Sequence, residues 1–197
     1  MTTPEPNPKA LDGREIAVGV TGGIAAYKAA ALVSRLVQTG AGVTVVMTEA
    51  ATRFVGPLTF QTLTGRPAYT DLWSSPEGFR SDHVALADRA DLVVVAPATA
   101  DCLGKLAHGI ADDMLSTFLL ATDVPLILAP AMNSRMWAHP AVRANVETLR
   151  QRGVRLVGPA EGRLACGTTG PGRMVEPEEI LAVLIETVEA MGGRAKA

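Results

Sequence analysis

Cysteine is scarce in this chain: 197 residues contain two, Cys102 and Cys166. That excludes a disulfide scaffold and a four-cysteine zinc site. The three histidines, His83, His108 and His139, have no metal-type spacing with one another or with the cysteines, so no metal is expected. Neither sign of charge dominates. The formal net charge is -2, and without a basic excess nucleic acid is not expected as the main partner. No apolar run reaches the ~18 residues of a membrane span. The first nine residues are polar and Pro-rich with no apolar core, which does not fit a secretory signal. G-x-S-x-G, the Walker loop and H-E-x-x-H are all missing. This argues against a serine hydrolase, a P-loop NTPase and a zincin. What is present is 48 % hydrophobic and 19 % charged residues with 19 Gly, a globular composition. The length suits one domain that buries about 70 % of its unfolded surface without staples. A soluble, cytoplasmic protein is expected.

Residues 1–13 read as a disordered lead-in, 14–191 as the domain and 192–197 as a tail. Within the domain, strand-like and helix-like segments alternate. Strands are expected at Glu15–Thr21, Val43–Thr48, Asp91–Pro97 (stopped by its Pro), Pro125–Pro130 and Val154–Val157. Helices are expected at Ala25–Gln38, Leu58–Leu63, Pro140–Arg152 and Glu178–Met191. A further helical stretch, Asp101–Ala121, should break near Gly109. Uniformly apolar strands alternating with helices imply a parallel sheet covered on both faces. The expected class is a three-layer, doubly wound α/β fold of flavodoxin-like or Rossmann-like type. Such sheets bind ligands beyond the carboxyl ends of their strands. That points to Thr21-Gly22-Gly23, Thr48, Pro97-Ala98-Thr99 and Pro130-Ala131-Met132-Asn133.

Glycines at the first of these loops let backbone N–H groups approach an anion at a helix start. A tight turn with no ligand is the plainer reading. The loop is not the dinucleotide fingerprint G-x-G-x-x-G, and a mononucleotide fits better than NAD. The Thr48 hydroxyl could meet a phosphate or a ring heteroatom. Phe54 could cover a flat cofactor, although core packing is its plainer reading. Small residues after Pro97 permit close approach of a ring, or Asp101 simply caps a helix. His83 could do acid–base work or be structural. Gly162–Met174, with four Gly and one Pro, reads as a mobile loop rather than an element. Arg163 and Arg173 beside Cys166 would favour its thiolate.

Five motifs taken together resemble the homo-oligomeric flavin-containing cysteine decarboxylases, and most closely their phosphopantothenoylcysteine decarboxylase branch. They are Thr21-Gly-Gly-Ile-Ala-Ala-Tyr-Lys28, His83-Val-Ala-Leu-Ala87, Ala96-Pro-Ala-Thr-Ala-Asp101, Pro130-Ala-Met-Asn-Ser-Arg-Met136 and Ala165-Cys-Gly-Thr-Thr-Gly-Pro-Gly-Arg-Met174. The resemblance runs from about Arg14 to Met191. It implies FMN held by Gly22, Gly23, Ile24, Ala25, Thr48, Phe54, Thr99, Ala100, Asp101 and Cys102. It also implies His83 as acid–base or orienting residue, and Asn133 on the substrate carboxylate with Met132 and Arg173 nearby. Cys166 would be the proton donor on a lid. The implied reaction oxidises a cysteine to a thioaldehyde, loses CO2 and returns the electrons, converting phosphopantothenoylcysteine to phosphopantetheine in coenzyme A biosynthesis. The alternative stops at the enethiol of a C-terminal peptidyl cysteine, and such relatives often lack the loop cysteine. A flavin prenyltransferase and a non-catalytic flavin-binding subunit fit less well. Two features depart from the pattern. Relatives are often fused to a synthetase, so this sequence is expected to be either a stand-alone enzyme or an excised domain of such a fusion, and Ala87-Asp88 stand where relatives often carry a basic residue. The resemblance further implies a trimer, or a dodecamer built of trimers, with FMN near the subunit interface.

Overall fold

A strand that is apolar on both faces needs cover on both, and the architecture supplies it. The computed structural model describes residues 8–73, 82–165 and 167–192. Six strands form one parallel sheet: β1 (Glu15–Val20), β2 (Gly42–Met47), β3 (Ala68–Tyr69), β4 (Leu92–Ala98), β5 (Leu126–Pro130) and β6 (Arg155–Leu156). Their order is β3-β2-β1-β4-β5-β6, the doubly wound arrangement of a Rossmann sheet. Two more strands, β7 (Ala160–Arg163) and β8 (Thr169–Arg173), make a separate antiparallel hairpin. The helices are α1 (Ala26–Gln38), α2 (Glu49–Thr52), α3 (Pro57–Thr64), α4 (Asp82–Arg89), α5 (Ala100–His108), α6 (Met114–Ala121), α7 (Ser134–Ala138), α8 (Pro140–Gln151) and α9 (Pro177–Met191). No described helix is long and apolar enough to cross a membrane.

Alternation along each strand divides the core in two. Ile16, Val18 and Val20 of β1 and Leu92, Val94 and Ala96 of β4 join Leu32, Leu36, Phe60, Ile180 and Leu184 from α1, α3 and α9. Ala17, Val93, Val95 and Leu128 face the other way, against Leu103, Leu115, Phe118 and Val146 from α5, α6 and α8. Gly19 has no side chain for a steric reason. A Cβ there would lie 2.8 Å from Leu115 Cδ1 and 3.0 Å from Val95 Cγ2, so a side chain at this position would have to push Leu115 of α6 and Val95 of β4 aside.

The described fold corrects five expectations. The lead-in is not wholly irregular: Pro8–Leu11 forms a 3-10 turn, and Leu11 is fully buried in the core. The driving force is burial of that one large aliphatic side chain. Residues 1–7 and the tail beyond Gly192 lie outside the described residues. Strand β4 does not stop at Pro97 but continues to Ala98. A register shift against β5 between Val95 and Ala98 absorbs the missing N–H. Gly162–Met174 is not simply a loop, because it supplies most of the β7–β8 hairpin. The cap of α5 is Thr99, not Asp101. Phe54 is not a core residue; it is 51 % exposed, just past the short α2.

Candidate active site

The sheet changes winding direction between β1 and β4, and the crevice beyond those two strand ends is where such a sheet can hold a ligand. Thr21 builds its floor. Buried at the end of β1, its hydroxyl donates to the Pro97 carbonyl at 2.6 Å and accepts from the Thr99 N–H at 3.1 Å. One side chain thus ties the two loops together. Gly22 allows α2 to close in, since a Cβ there would sit 2.4 Å from the Ala50 Cβ. Thr48 Oγ1 accepts from Ala51 N–H and caps α2, and Thr99 Oγ1 accepts from Cys102 N–H and caps α5. Each hydroxyl is used there as an acceptor and keeps its proton to donate. Around them opens a cleft of about 660 Å³, lined among others by Gly22, Gly23, Thr48, Thr99, Ala100, Asp101 and Met132. The N-termini of α1 and α5 add N–H groups and a favourable dipole for an anion.

One rim of this cleft is acidic. Lys105 Nζ reaches Asp112 at 2.8 Å, Asp113 at 3.1 Å and Asp101 at 3.4 Å. Burial alone would lower the pKa of Lys105. Its hydrogen bonds to Asp112 and Asp113, with the charges of Asp113 and Asp101, more than reverse this and raise it. The ammonium is therefore a permanent tie between α5 and the start of α6. The hydrogen bond from Lys105 in turn holds the Asp112 carboxyl below its usual range.

A second cleft of about 490 Å³ adjoins the first, and Ala131 and Met132 line both. Asn133 lines it too. Its Oδ1 accepts from Arg135 N–H at 2.8 Å and caps α7, which fixes the orientation of the amide. The hairpin forms the opposite wall. Met132 N–H donates to the Gly172 carbonyl at 2.9 Å. Gly172 has φ +136°, and a Cβ there would fall 2.3 Å from the Met132 carbonyl oxygen, so only glycine permits this docking. Lys28 of α1 donates to Glu176 Oε1 at 2.9 Å and to the Met174 carbonyl at 3.2 Å. Arg173 of β8 pairs with the same carboxylate. The hydrogen bond from Lys28, assisted by the charges of Lys28 and Arg173, holds the Glu176 carboxyl below its usual value of 4.5.

Two adjoining clefts at the strand ends, one of them opening onto the starts of α1 and α5, fit the comparison with known proteins. Residues 4–189 match the family described as Flavoprotein. The chain belongs to the Flavoprotein family. Among curated relatives, this family member is 54 % identical over 171 residues to the coenzyme A biosynthesis bifunctional protein CoaBC of Bacillus subtilis (strain 168). That match covers 87 % of this chain and 42 % of the relative. It is 47 % identical over 181 residues to CoaBC of Mycolicibacterium smegmatis, covering 90 % and 43 %. The chain thus spans less than half the length of these relatives. Among solved structures, a PPC decarboxylase variant complexed with pantothenoylaminoethenethiol superposes with TM-score 0.81 at 31 % identity, covering 90 % of this chain and 99 % of that one. The FMN-dependent cysteine decarboxylase SpaF gives TM-score 0.79 at 35 % identity, covering 91 % and 99 %.

In this Flavoprotein member the expected site residues divide into three groups. Gly22, Gly23, Thr48, Thr99, Ala100 and Asp101 line the first cleft, and Met132 lines both. Ile24, Ala25, Asn133 and Arg173 line the second. Phe54, Cys102 and His83 line neither. The Cys102 thiol is buried in the core, and its N–H donates to Thr99 Oγ1. Burial, reinforced by the charges of Asp113 and Asp101, pushes that thiol up to about 12, which keeps it protonated at neutral pH. His83 stands half-buried in the first turn of α4. Cys166 lies outside the described residues. Sequence reasoning missed Lys28 and Glu176 in the second cleft, and Lys105, Asp112 and Asp113 in the first. The Asp101–Lys105 spacing of four was a visible signal for the helical pair. Nothing local joins Lys28 to Glu176, which are 148 residues apart.

Proposed function

We propose that this chain binds FMN in the first cleft and decarboxylates a cysteine carboxylate in the second, with phosphopantothenoylcysteine as substrate and phosphopantetheine as product. The observation that carries this reading is the shared wall: Ala131 and Met132 line both clefts, so a group in one borders a group in the other. The volume and the donors of the first cleft suit a mononucleotide. Gly22, Gly23, Thr48, Thr99 and Ala100 are the residues that would hold it. FMN bound there supplies reversible two-electron oxidation of the substrate's cysteine unit.

This chain's own residues do the rest. Asn133, held by its capping bond to Arg135, presents a fixed amide to the departing carboxylate. The β7–β8 hairpin walls the substrate off from water, which strengthens polar contacts inside. Cys166, in the sequence between the two hairpin strands, is the proton donor of the reductive step. His83 serves as acid–base or orienting residue, and it reaches the cleft of a neighbouring copy in a homo-oligomer, a trimer or an assembly of trimers. Exposed Ile24, Tyr27, Phe54, Leu58, Val84 and Met136 are apolar side chains that such an assembly would cover. A reducing, cytoplasmic setting fits the two cysteines.

The purified protein should be yellow and should release CO2 from phosphopantothenoylcysteine. A product lighter by CO2 alone supports the proposed reaction. A product that has also lost two hydrogens, formed from a peptide ending in cysteine, would favour the peptidyl-cysteine reaction. A colourless protein that cannot be reconstituted with FMN would overturn both.

A further inference from the structure

Resting on that reading, we propose that Arg163 recognises a phosphate monoester at the end of the substrate remote from its cysteine. The second cleft therefore selects a phosphorylated small molecule over a peptide.

The two clefts carry opposite charge. The first is lined by Glu49, Asp101, Asp112 and Asp113 against the one ammonium of Lys105. The second is lined by Lys28, Arg163 and Arg173 against the one carboxylate of Glu176. It keeps two positive charges in excess, in a chain whose net charge is -2. That excess is not spread evenly. Glu176 is shared between Lys28 and Arg173, and Lys28 also binds the Met174 carbonyl. Arg163 makes no ion pair among the described residues, and it is exposed.

The hairpin brings Arg163 and Arg173 to one site. Arg163 pairs with Thr169 across β7–β8, next to the Gly162–Gly170 pair. The stem of Arg173 crosses at Gly162, where a Cβ would lie 3.4 Å from its Cδ. The β8 arginine thus runs alongside β7, and both arginines line the same cleft. Asn133 already provides for the cysteine carboxylate, so the surplus cations serve a second anion. A phosphate monoester is close to a dianion at neutral pH and matches the surplus. A guanidinium meets it in a planar, two-pronged contact that an ammonium cannot make. A peptide ending in cysteine has no such group at that end.

The test compares kcat/KM for phosphopantothenoylcysteine with that for its non-phosphorylated counterpart, followed by CO2 release. Wild type, Arg163→Gln and Arg163→Lys are each assayed at low and at physiological salt. Wild type should prefer the phosphorylated substrate by about 10–100-fold, the worth of one strong charged hydrogen bond. In Arg163→Gln the preference should fall towards unity, mainly through KM, and Arg163→Lys should keep part of it. The preference should shrink with added salt, because the site is open to solvent. Arg163 is exposed and unpaired among the described residues, so the substitutions leave the fold intact, which a thermal melt checks. A wild-type preference near unity, or one unchanged in Arg163→Gln, overturns the proposal while the proposed reaction stands. Loss of FMN from Arg163→Gln also overturns it, since the anion would then belong to the cofactor. A yellow wild-type protein inert towards both substrates overturns the functional reading itself and this inference with it.

Discussion

Thr21 does more for the site than any residue that lines it by bulk. Its hydroxyl is used twice, as donor to Pro97 and as acceptor from Thr99, and Thr99 in turn caps α5. Valine has nearly the same shape and neither bond. Thr21→Val would leave a buried carbonyl and a part-buried N–H without their partner, a loss of about 1–3 kcal/mol. The expected outcome is a lower melting temperature together with weaker FMN retention, measured by flavin absorbance after gel filtration. An unchanged melt would show that the two loops hold their positions without the hydroxyl. Cys102 shows the opposite case, a chemically capable group buried away from both clefts. It directly follows the cleft-lining Asp101 on α5, and helical geometry turns its thiol into the core, where burial raises its pKa to about 12. Sequence places a residue at a strand end but does not say which side of the following helix it faces.

At the scale of elements, the parallel sheet was legible because burial on both faces forces uniform apolar runs, as in Leu92-Val93-Val94-Val95. The clefts followed from that sheet, since their residues lie just beyond β1, β2, β4 and β5. The β7–β8 hairpin was not legible. Thr169-Gly-Pro-Gly-Arg173 has almost no strand propensity, and what orders it is docking: the Met132–Gly172 hydrogen bond and the bare Gly170 and Gly172 positions packed against the Met132–Ser134 segment. Local pattern cannot report a contact made forty residues away. Gly172→Ala tests that docking. Its Cβ would strike the Met132 carbonyl oxygen, so the hairpin must move away from Asn133. We expect kcat/KM to fall by about 10²-fold from misplacement of the substrate wall. The melting temperature should change much less, because the six-stranded sheet does not depend on the hairpin. Equal losses in stability and activity would instead make the hairpin part of the cooperative core.

Over the whole molecule, two carboxylates join distant parts of the chain. Glu15 on β1 takes a two-pronged bond from Arg66 at 2.5 and 2.9 Å, with Arg89 at 3.8 Å. The Arg66 hydrogen bond, aided by the charges of Arg66 and Arg89, lowers its pKa. Glu176 links α1, β8 and the start of α9 and is lowered too. A folded pKa below the unfolded value means that the stabilisation is full above about 4.5 and is lost as pH falls through the lowered values. Melting temperature should therefore hold from pH 7 to 5 and drop below it, and Glu15→Gln should flatten part of that drop. A Glu15→Gln melt as acid-sensitive as wild type would remove Glu15 from the account. Assembly makes the last prediction. His83 lines neither cleft, while Asn133 lines the second. In the proposed oligomer each site takes its Asn133 from one copy and its His83 from the next. His83→Asn and Asn133→Ala should each be inactive alone while keeping the oligomer. Co-expressed in equal amounts, they should assemble mixed oligomers in which about one quarter of the sites, on random association of a closed ring, hold both native residues. Activity should return to that fraction of wild type, measured as CO2 released per bound FMN. If His83 instead served the cleft of its own chain, no site in the mixture would be whole, and the mixed protein would stay inactive.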